Sequence, residues 1–292
     1  MIDFAYMAKT KELESLSEEL KKKLQHIANT KSTTIVSFVA PHGVRTSPVG
    51  FASASIEEDE IYRIEKVVEK AVSKKATGSL HLIIHTPGGE MHACYKIANF
   101  LRSKFTKVGA FVPYQAASGG TILCCSANEL YIGDLGNITC FDPQIQYKGV
   151  SVSTHAFVRA VESIQREYGE IRPIEIPPPW QQMAEKIDPI IYDEMHTALV
   201  TSIICAVRLL KKSGYSESSA FGIARGLGWN AYTHELPIFK DAAKELGFNI
   251  KEDEETLKVY KELVSARLDE QYPRHIIDDF YPEHDLTPTD QQ

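Results

Sequence analysis

The segment Leu80-His81-Leu82-Ile83-Ile84-His85-Thr86-Pro87-Gly88-Gly89-Glu90 decides the fold class. Residues 80–84 are an apolar run of strand length, and Pro87 with the paired glycines ends it. Residues 90–105 return to a helical period, so strand and helix follow each other directly. The alternation continues with a strand over 108–112, a helix over 118–127 and a strand over 129–132. Upstream, 34–39 reads as a strand stopped by Pro41 and Gly43. A helix over 55–75 follows it, with Ser55 and Glu58 at capping-box spacing. Strands joined by crossover helices specify a parallel sheet with right-handed connections, and hence an α/β fold.

Around this core the chain reads as helical. Leu13, Leu16, Leu20, Leu24 and Ile27 recur at steps of three and four, marking an amphipathic first helix. Beyond Gln144, helices are expected over 155–168, 188–212, 216–225, 240–246 and 254–268, with Gly214 placed as a C-cap. Residues 172–179 are an extended stretch ending in three prolines, and the tail from Pro282 is polar. There is no internal repeat and no linker between two cores. The expected organisation is an N-terminal helix (1–30), one α/β domain (31–250), and a C-terminal helix and tail (251–292).

A chain of 292 residues, 43% hydrophobic and 24% charged, can bury a sizeable core without disulfides or a structural metal. Its 32 basic and 39 acidic residues leave a net charge of −7, which argues against nucleic acid as the main partner. The five cysteines (Cys94, Cys124, Cys125, Cys140 and Cys205) contain no CxxC and read as reduced thiols of a cytoplasmic protein. The N-terminus lacks a signal pattern, and no run reaches the roughly 18 apolar residues of a membrane span. Residues 198–207 come nearest, but Thr201 and Ser202 interrupt them, so a buried helix and no membrane partner are expected. His81, His85 and His92 lack recognisable ligand spacing, so neither a metal site nor a cofactor is expected.

Three segments at successive strand ends expose backbone. In His85-Thr86-Pro87-Gly88-Gly89-Glu90 the glycines allow close approach to bare N–H groups. In Gln115-Ala116-Ala117-Ser118-Gly119-Gly120-Thr121 the Ser118 hydroxyl is surrounded only by small residues, at a helix start that favours a developing anion. A helix-capping serine is the plain structural alternative. Leu135-Gly136-Asn137-Ile138-Thr139-Cys140-Phe141-Asp142-Pro143-Gln144 brings a carboxylate, Asp142, to the next strand's end. Ligands of such sheets bind beyond the strands' carboxyl ends.

His85–Gly89, then 111–121 (FVPYQAASGGT) and 127–144 (ANELYIGDLGNITCFDPQ), resemble the serine dehydrogenase proteinase family, relatives of signal peptide peptidase A and of the Clp proteolytic subunit. The likeness continues at 229–238 (WNAYTHELPI) and 242–248 (AAKELGF). It implies a ClpP/crotonase-like ββα superhelix, cofactor-free serine chemistry on a peptide or protein substrate, and a homo-oligomer of three or more subunits. By the same resemblance Ser118 matches the nucleophile, and the amides of Gly89 and Gly119 match the oxyanion hole.

The general base is where the sequence departs from these relatives. The lysine of a Ser–Lys dyad would fall near Thr197, yet no lysine lies between Lys186 and Lys211. The Clp histidine's place is taken by Asp142. Four residues could serve instead: His155, His196, Lys186 and His234, with Asp142 orienting an imidazole. The expected activity is that of a cytosolic, ATP-independent serine peptidase. The main alternative is a crotonase-like oligomer that has lost its base and binds peptides or a partner. An acyl-CoA enzyme of the crotonase superfamily is disfavoured, because nothing marks an adenine or pantetheine site.

Overall fold

The computed structural model describes residues 14–41, 44–47, 50–52, 54–147, 149–170, 175–229, 233–270 and 274–283. In chain order the elements are α1 (Glu18–Thr30), β1 (Thr34–Val39), β2 (Val44–Ser47), β3 (Gly50–Ala52), α2 (Asp59–Ser73), β4 (Ser79–His85) and α3 (Met91–Lys104). There follow β5 (Lys107–Val112), β6 (Gln115–Ala116), α4 (Gly119–Cys124), β7 (Glu129–Ile132), β8 (Asn137–Ile138), β9 (Gln144–Tyr147) and β10 (Val150–Ser153). Helices α5 (Thr154–Tyr168), α6 (Trp180–Ala184), α7 (Pro189–Lys212), α8 (Glu217–Gly228), α9 (Lys240–Glu245) and α10 (Glu254–Leu268) precede the last strand, β11 (Asp279–Phe280).

β1 is buried at every position, so it must be covered on both faces. It lies inside a sheet of order β11-β1-β4-β5-β7, in which β1, β4, β5 and β7 are parallel as expected and β11 is antiparallel. Alternation along β4 sends Leu80, Leu82 and Ile84 into a core shared with α2, α3, α7 and α8. Ile83 points the other way, toward Leu20, Leu24 and Ile27 of α1 and Tyr260, Leu263 and Val264 of α10. The two terminal helices thus close the second face of the sheet.

Beyond the main strands a smaller ladder forms. Thr86 bridges to Ala116, β6 pairs in parallel with β8, and Ile138 bridges to Ile238. Strand, short strand and helix repeat in this order, matching the expected ββα unit. This second ladder crosses the carboxyl ends of β4, β5 and β7, where the candidate site lies.

The structure departs from the sequence reading at several points. Helix α2 starts at Asp59 with no side-chain cap, not at Ser55. Ile56 is instead held extended, its N–H donating to Gly88 O and its C=O accepting from Glu90 N, both at 2.8 Å. Helix α4 stops at Cys124, because Asn128 N must donate to Val108 O and Asn128 Oδ1 accepts from Val108 N. A hairpin, β9–β10, occupies the stretch after Gln144, with Gly149 at φ 82° in its connection. Helix α1 begins at Glu18 with Ser17 as its cap. The expectations at Leu13, Gly43, residues 172–174, 230–232 and the tail beyond Glu283 lie outside the described residues.

The C-terminal segment is tied down by Arg267, whose guanidinium meets Asp278 at 3.0 and 2.5 Å and Glu270 at 3.3 Å. Asp278 also accepts from Ser37 Oγ at 3.1 Å, which fixes β11 to β1.

His81, beneath α10, has its Nδ1 2.7 Å from Tyr260 Oη and its ring 4.6 Å from Phe111. Burial pushes its pKa down to about 4 from the ordinary 6.5. The unfolded chain therefore binds the extra proton first, so the His81 contribution to stability should decline as pH falls from 6.5 to about 4 and level off below. Urea denaturation across this window should show that slope, and His81→Gln should lessen it, the buried His155 and His275 contributing part of the remainder.

Candidate active site

Ser118 has φ 49° and ψ −110°, a region a residue with a Cβ enters only when its surroundings force it, at a cost of ~1–3 kcal/mol. The surroundings do so from both sides. Its N–H donates to Thr139 Oγ1 at 2.9 Å, and its C=O accepts from Thr121 N at 2.9 Å. Thr139 is itself fixed by Thr121, whose hydroxyl donates to Thr139 O at 2.7 Å. Although Ser118 occupies the N-cap position of α4, its side chain makes no capping hydrogen bond. The capping alternative therefore fails, and the hydroxyl is left free of the helix. At six residues α4 is too short for much of a macrodipole, so individual N–H groups matter more.

Two glycines make the close packing possible. Gly88, at φ 106°, lies against Ser118: a Cβ there would stand 2.8 Å from Ser118 Cβ. A Cβ on Gly89 would overlap the Ile56 backbone N and O at 2.3 Å. Position 119 adjoins 89, since a Cβ on Gly119 would lie 3.1 Å from Gly89 N. Neither the Gly89 nor the Gly119 N–H donates to any described residue. Both glycines and Ser118 line one cavity of about 290 Å³, completed by Glu90, Met91, Phe141, Pro143 and Gln144.

Asp142, between two wall residues of that cavity, is buried and densely hydrogen-bonded. Its Oδ1 meets His234 Nδ1 at 2.8 Å, and its Oδ2 accepts from Ser153 Oγ at 2.5 Å and Gln144 Nε2 at 3.2 Å. Burial alone would raise its pKa. The His234 and Ser153 hydrogen bonds, with the nearby His234 and His155 imidazoles, outweigh that and hold it below the usual carboxylate value. His155, buried at the start of α5, has its pKa lowered by burial and by Arg159, with Asp142 acting in the opposite sense. His196 stands on α7 with its ring edge-on to Trp229 at 6.0 Å. Lys186 lines a different groove, with Tyr147, Phe157 and Met183. The structure thus joins Asp142 to His234 directly and sets Lys186 apart.

Residues 2–168 match the ClpP-like SDH-type serine proteinases. The chain belongs to that family. As a member it is a serine-type peptidase with a ClpP-like α/β fold. The match ends before His196 and His234, so neither histidine falls within it. An uncharacterized protein of Methanocaldococcus jannaschii, MJ0137, is 28% identical over 84% of this chain and 79% of its own length. A second from the same organism, MJ1495, is 26% identical over 64% of this chain and 59% of its own. Two solved structures of the 1510-N membrane-bound stomatin-specific protease are also similar. One, a serine-to-alanine mutant, has TM-score 0.44 and 15% identity, covering 81% of this chain and 94% of that one. The other, a lysine-to-alanine mutant with a substrate peptide, has TM-score 0.43 and 16% identity, covering 70% and 75%.

Thr139, Ser153 and Gln144 contribute to the site of this family member without having been singled out as site residues from the sequence. Thr139 and Gln144 stand inside the motif that was read, but a hydroxyl or amide in a loop has no periodic signature. Ser153 is recognisable only as the cap of α5, accepting from Ala156 N at 3.1 Å. Relief of the strained backbone gives a direct test of the elbow. Ser118→Gly is expected to be more stable than Ser118→Ala by about 1 kcal/mol, read by thermal denaturation. Equal midpoints would show that φ at this position carries no strain.

Proposed function

We propose that Ser118 is the nucleophile of a cytoplasmic, ATP-independent peptidase and that the amides of Gly89 and Gly119 form its oxyanion hole. The observation that carries this reading is the shared cavity: an uncapped serine on a strained elbow beside two free, adjoining glycine N–H groups. Such donors stabilise the tetrahedral oxyanion more than the ground-state carbonyl. In this reading His234 is the base. Asp142 holds its Nδ1, which leaves Nε2 as the nitrogen that accepts a proton. Ser118 Oγ attacks the peptide carbonyl as its proton passes to Nε2, and that proton then goes to the leaving amine. Water, deprotonated by the same nitrogen, cleaves the acyl-enzyme and regenerates the serine.

The reading extends to assembly. By length and composition α7 could cross a membrane, yet it packs on α3, α5 and α8. Ile190 and Ile204 on α7 and Phe221 on α8 remain exposed. A second copy of this chain would cover them, in a closed homo-oligomer of at least three subunits. Light scattering should find no stable monomer at micromolar concentration.

A fluorophosphonate should label Ser118, as located by mass spectrometry, and Ser118→Ala should abolish labelling. His234→Gln and Asp142→Asn should each slow it by ~10²–10⁴. His196→Gln and Lys186→Ala should label as the parent does. If His155→Gln alone stops the reaction, His155 replaces His234 as the base. A parent that labels no faster than free serine would leave the peptide-binding alternative in place.

A further inference from the structure

The PGG loop is held from below by groups that the proposed mechanism does not use. Gly88 N–H donates to Thr86 Oγ1 at 3.0 Å. The same hydroxyl lies 2.8 Å from Nε2 of His275, a residue 189 positions later in the chain. His275 Nδ1 is 3.7 Å from Glu60 Oε1, and Glu60 Oε2 accepts from Arg63 at 2.6 Å. Arg63 turns back to donate to His275 O at 2.6 Å. Thr86 and His275 are fully buried and Glu60 nearly so, while the imidazole stacks on Phe38 at 4.1 Å.

The proton placement follows from these contacts. Burial pushes the His275 pKa down, which favours the neutral ring with one donor and one acceptor nitrogen. At 3.7 Å the Glu60 carboxylate is too far to hydrogen-bond Nδ1, which has no hydrogen-bond partner among the described residues. Its charge still favours the tautomer with hydrogen on Nδ1 over one with a lone pair facing it. Nε2 is then the acceptor and receives the Thr86 hydroxyl proton, leaving the hydroxyl oxygen to accept from Gly88. Thr86 also joins both loops of the site through its backbone: its N–H donates to Gln115 O, and its C=O accepts from Ala117 N, each at 3.0 Å.

We infer that Thr86 and His275 are positioning residues, a buried relay by which the C-terminal segment sets the Gly88–Gly89 backbone against Ser118. The inference rests on the peptidase reading of the site. Without the hydroxyl the Gly88 amide is buried without a partner, and the peptide carrying the Gly89 N–H is held against the oxyanion position only by Ile56 N–H on Gly88 O. Without the imidazole the hydroxyl loses its acceptor and turns toward other oxygens.

Thr86→Val removes the hydroxyl at constant shape, Thr86→Ser retains it, and His275→Phe keeps the stack on Phe38 while deleting both nitrogens. With the fluorophosphonate, Thr86→Val and His275→Phe should lower the maximal labelling rate at Ser118 by ~10–10²-fold, with half-saturation unchanged. Thr86→Ser should restore it. The double variant should be no slower than the worse single one, because both act through one relay. Hydrogen exchange of the full-length protein, read on peptides spanning 86–91, should be faster in Thr86→Val and His275→Phe and parental in Thr86→Ser. Parental labelling and exchange in Thr86→Val, or a double variant whose losses multiply, would overturn the relay. The exchange measurement needs no activity. If the parent is not labelled at Ser118 the peptidase reading fails, and unchanged exchange in Thr86→Val is then the result that removes the relay.

Discussion

At φ 49° the Ser118 backbone stands in a region that a side chain resists, and much of the surrounding structure can be understood as what keeps it there. The elbow needs a neighbour with no Cβ, which Gly88 supplies. It needs an acceptor for the Ser118 N–H, which Thr139 supplies from the end of the next strand. Both requirements can be met only if the ends of β4, β5 and β7 are held side by side, and the second ladder through Thr86, β6 and β8 does this. The parallel register of the main sheet is therefore part of the site.

The same dependence explains which features the sequence made readable. Residues 80–84 and 108–112 announce themselves because a strand covered on both faces is almost continuously apolar. The PGG and ASGG turns are legible because small residues without side-chain demands cluster only where backbone must be approached. The expected capping box at Ser55 and Glu58 had the right letters. It is not formed because the Ile56 N–H and C=O are committed to the PGG loop. β11 was not legible: two residues have no period, and their strand character is conferred by pairing with β1 and by Ser37 and Arg267 acting on Asp278.

Site partners divide in the same way. Asp142 and His234 were each noticed, but their contact joins residues 92 positions apart and belongs to the fold. Glu60 and His275 carried no signal, since a single acidic residue on an amphipathic helix and a histidine near the C-terminus both read as surface. Their burial exists only after α2 and the C-terminal segment close around Phe38.

The chemistry at Asp142 bears on which group moves the proton. By the family resemblance this carboxylate stands where a Clp relative carries its histidine, which raises the question of whether it could itself take the serine proton. Its surroundings argue otherwise. Three donors converge on its two oxygens; against the effect of burial, the His234 and Ser153 hydrogen bonds and the His234 and His155 imidazoles hold its pKa below the ordinary carboxylate value, which makes it a weaker base than a free aspartate. A group arranged in this way is suited to fixing the orientation and tautomer of an imidazole and to stabilising it once charged. In the proposed reading, the exchange of residue type at this position moves the base outward to His234, the partner of the carboxylate. On that reading a lysine near Thr197, toward the start of α7, is not required for the serine to be activated.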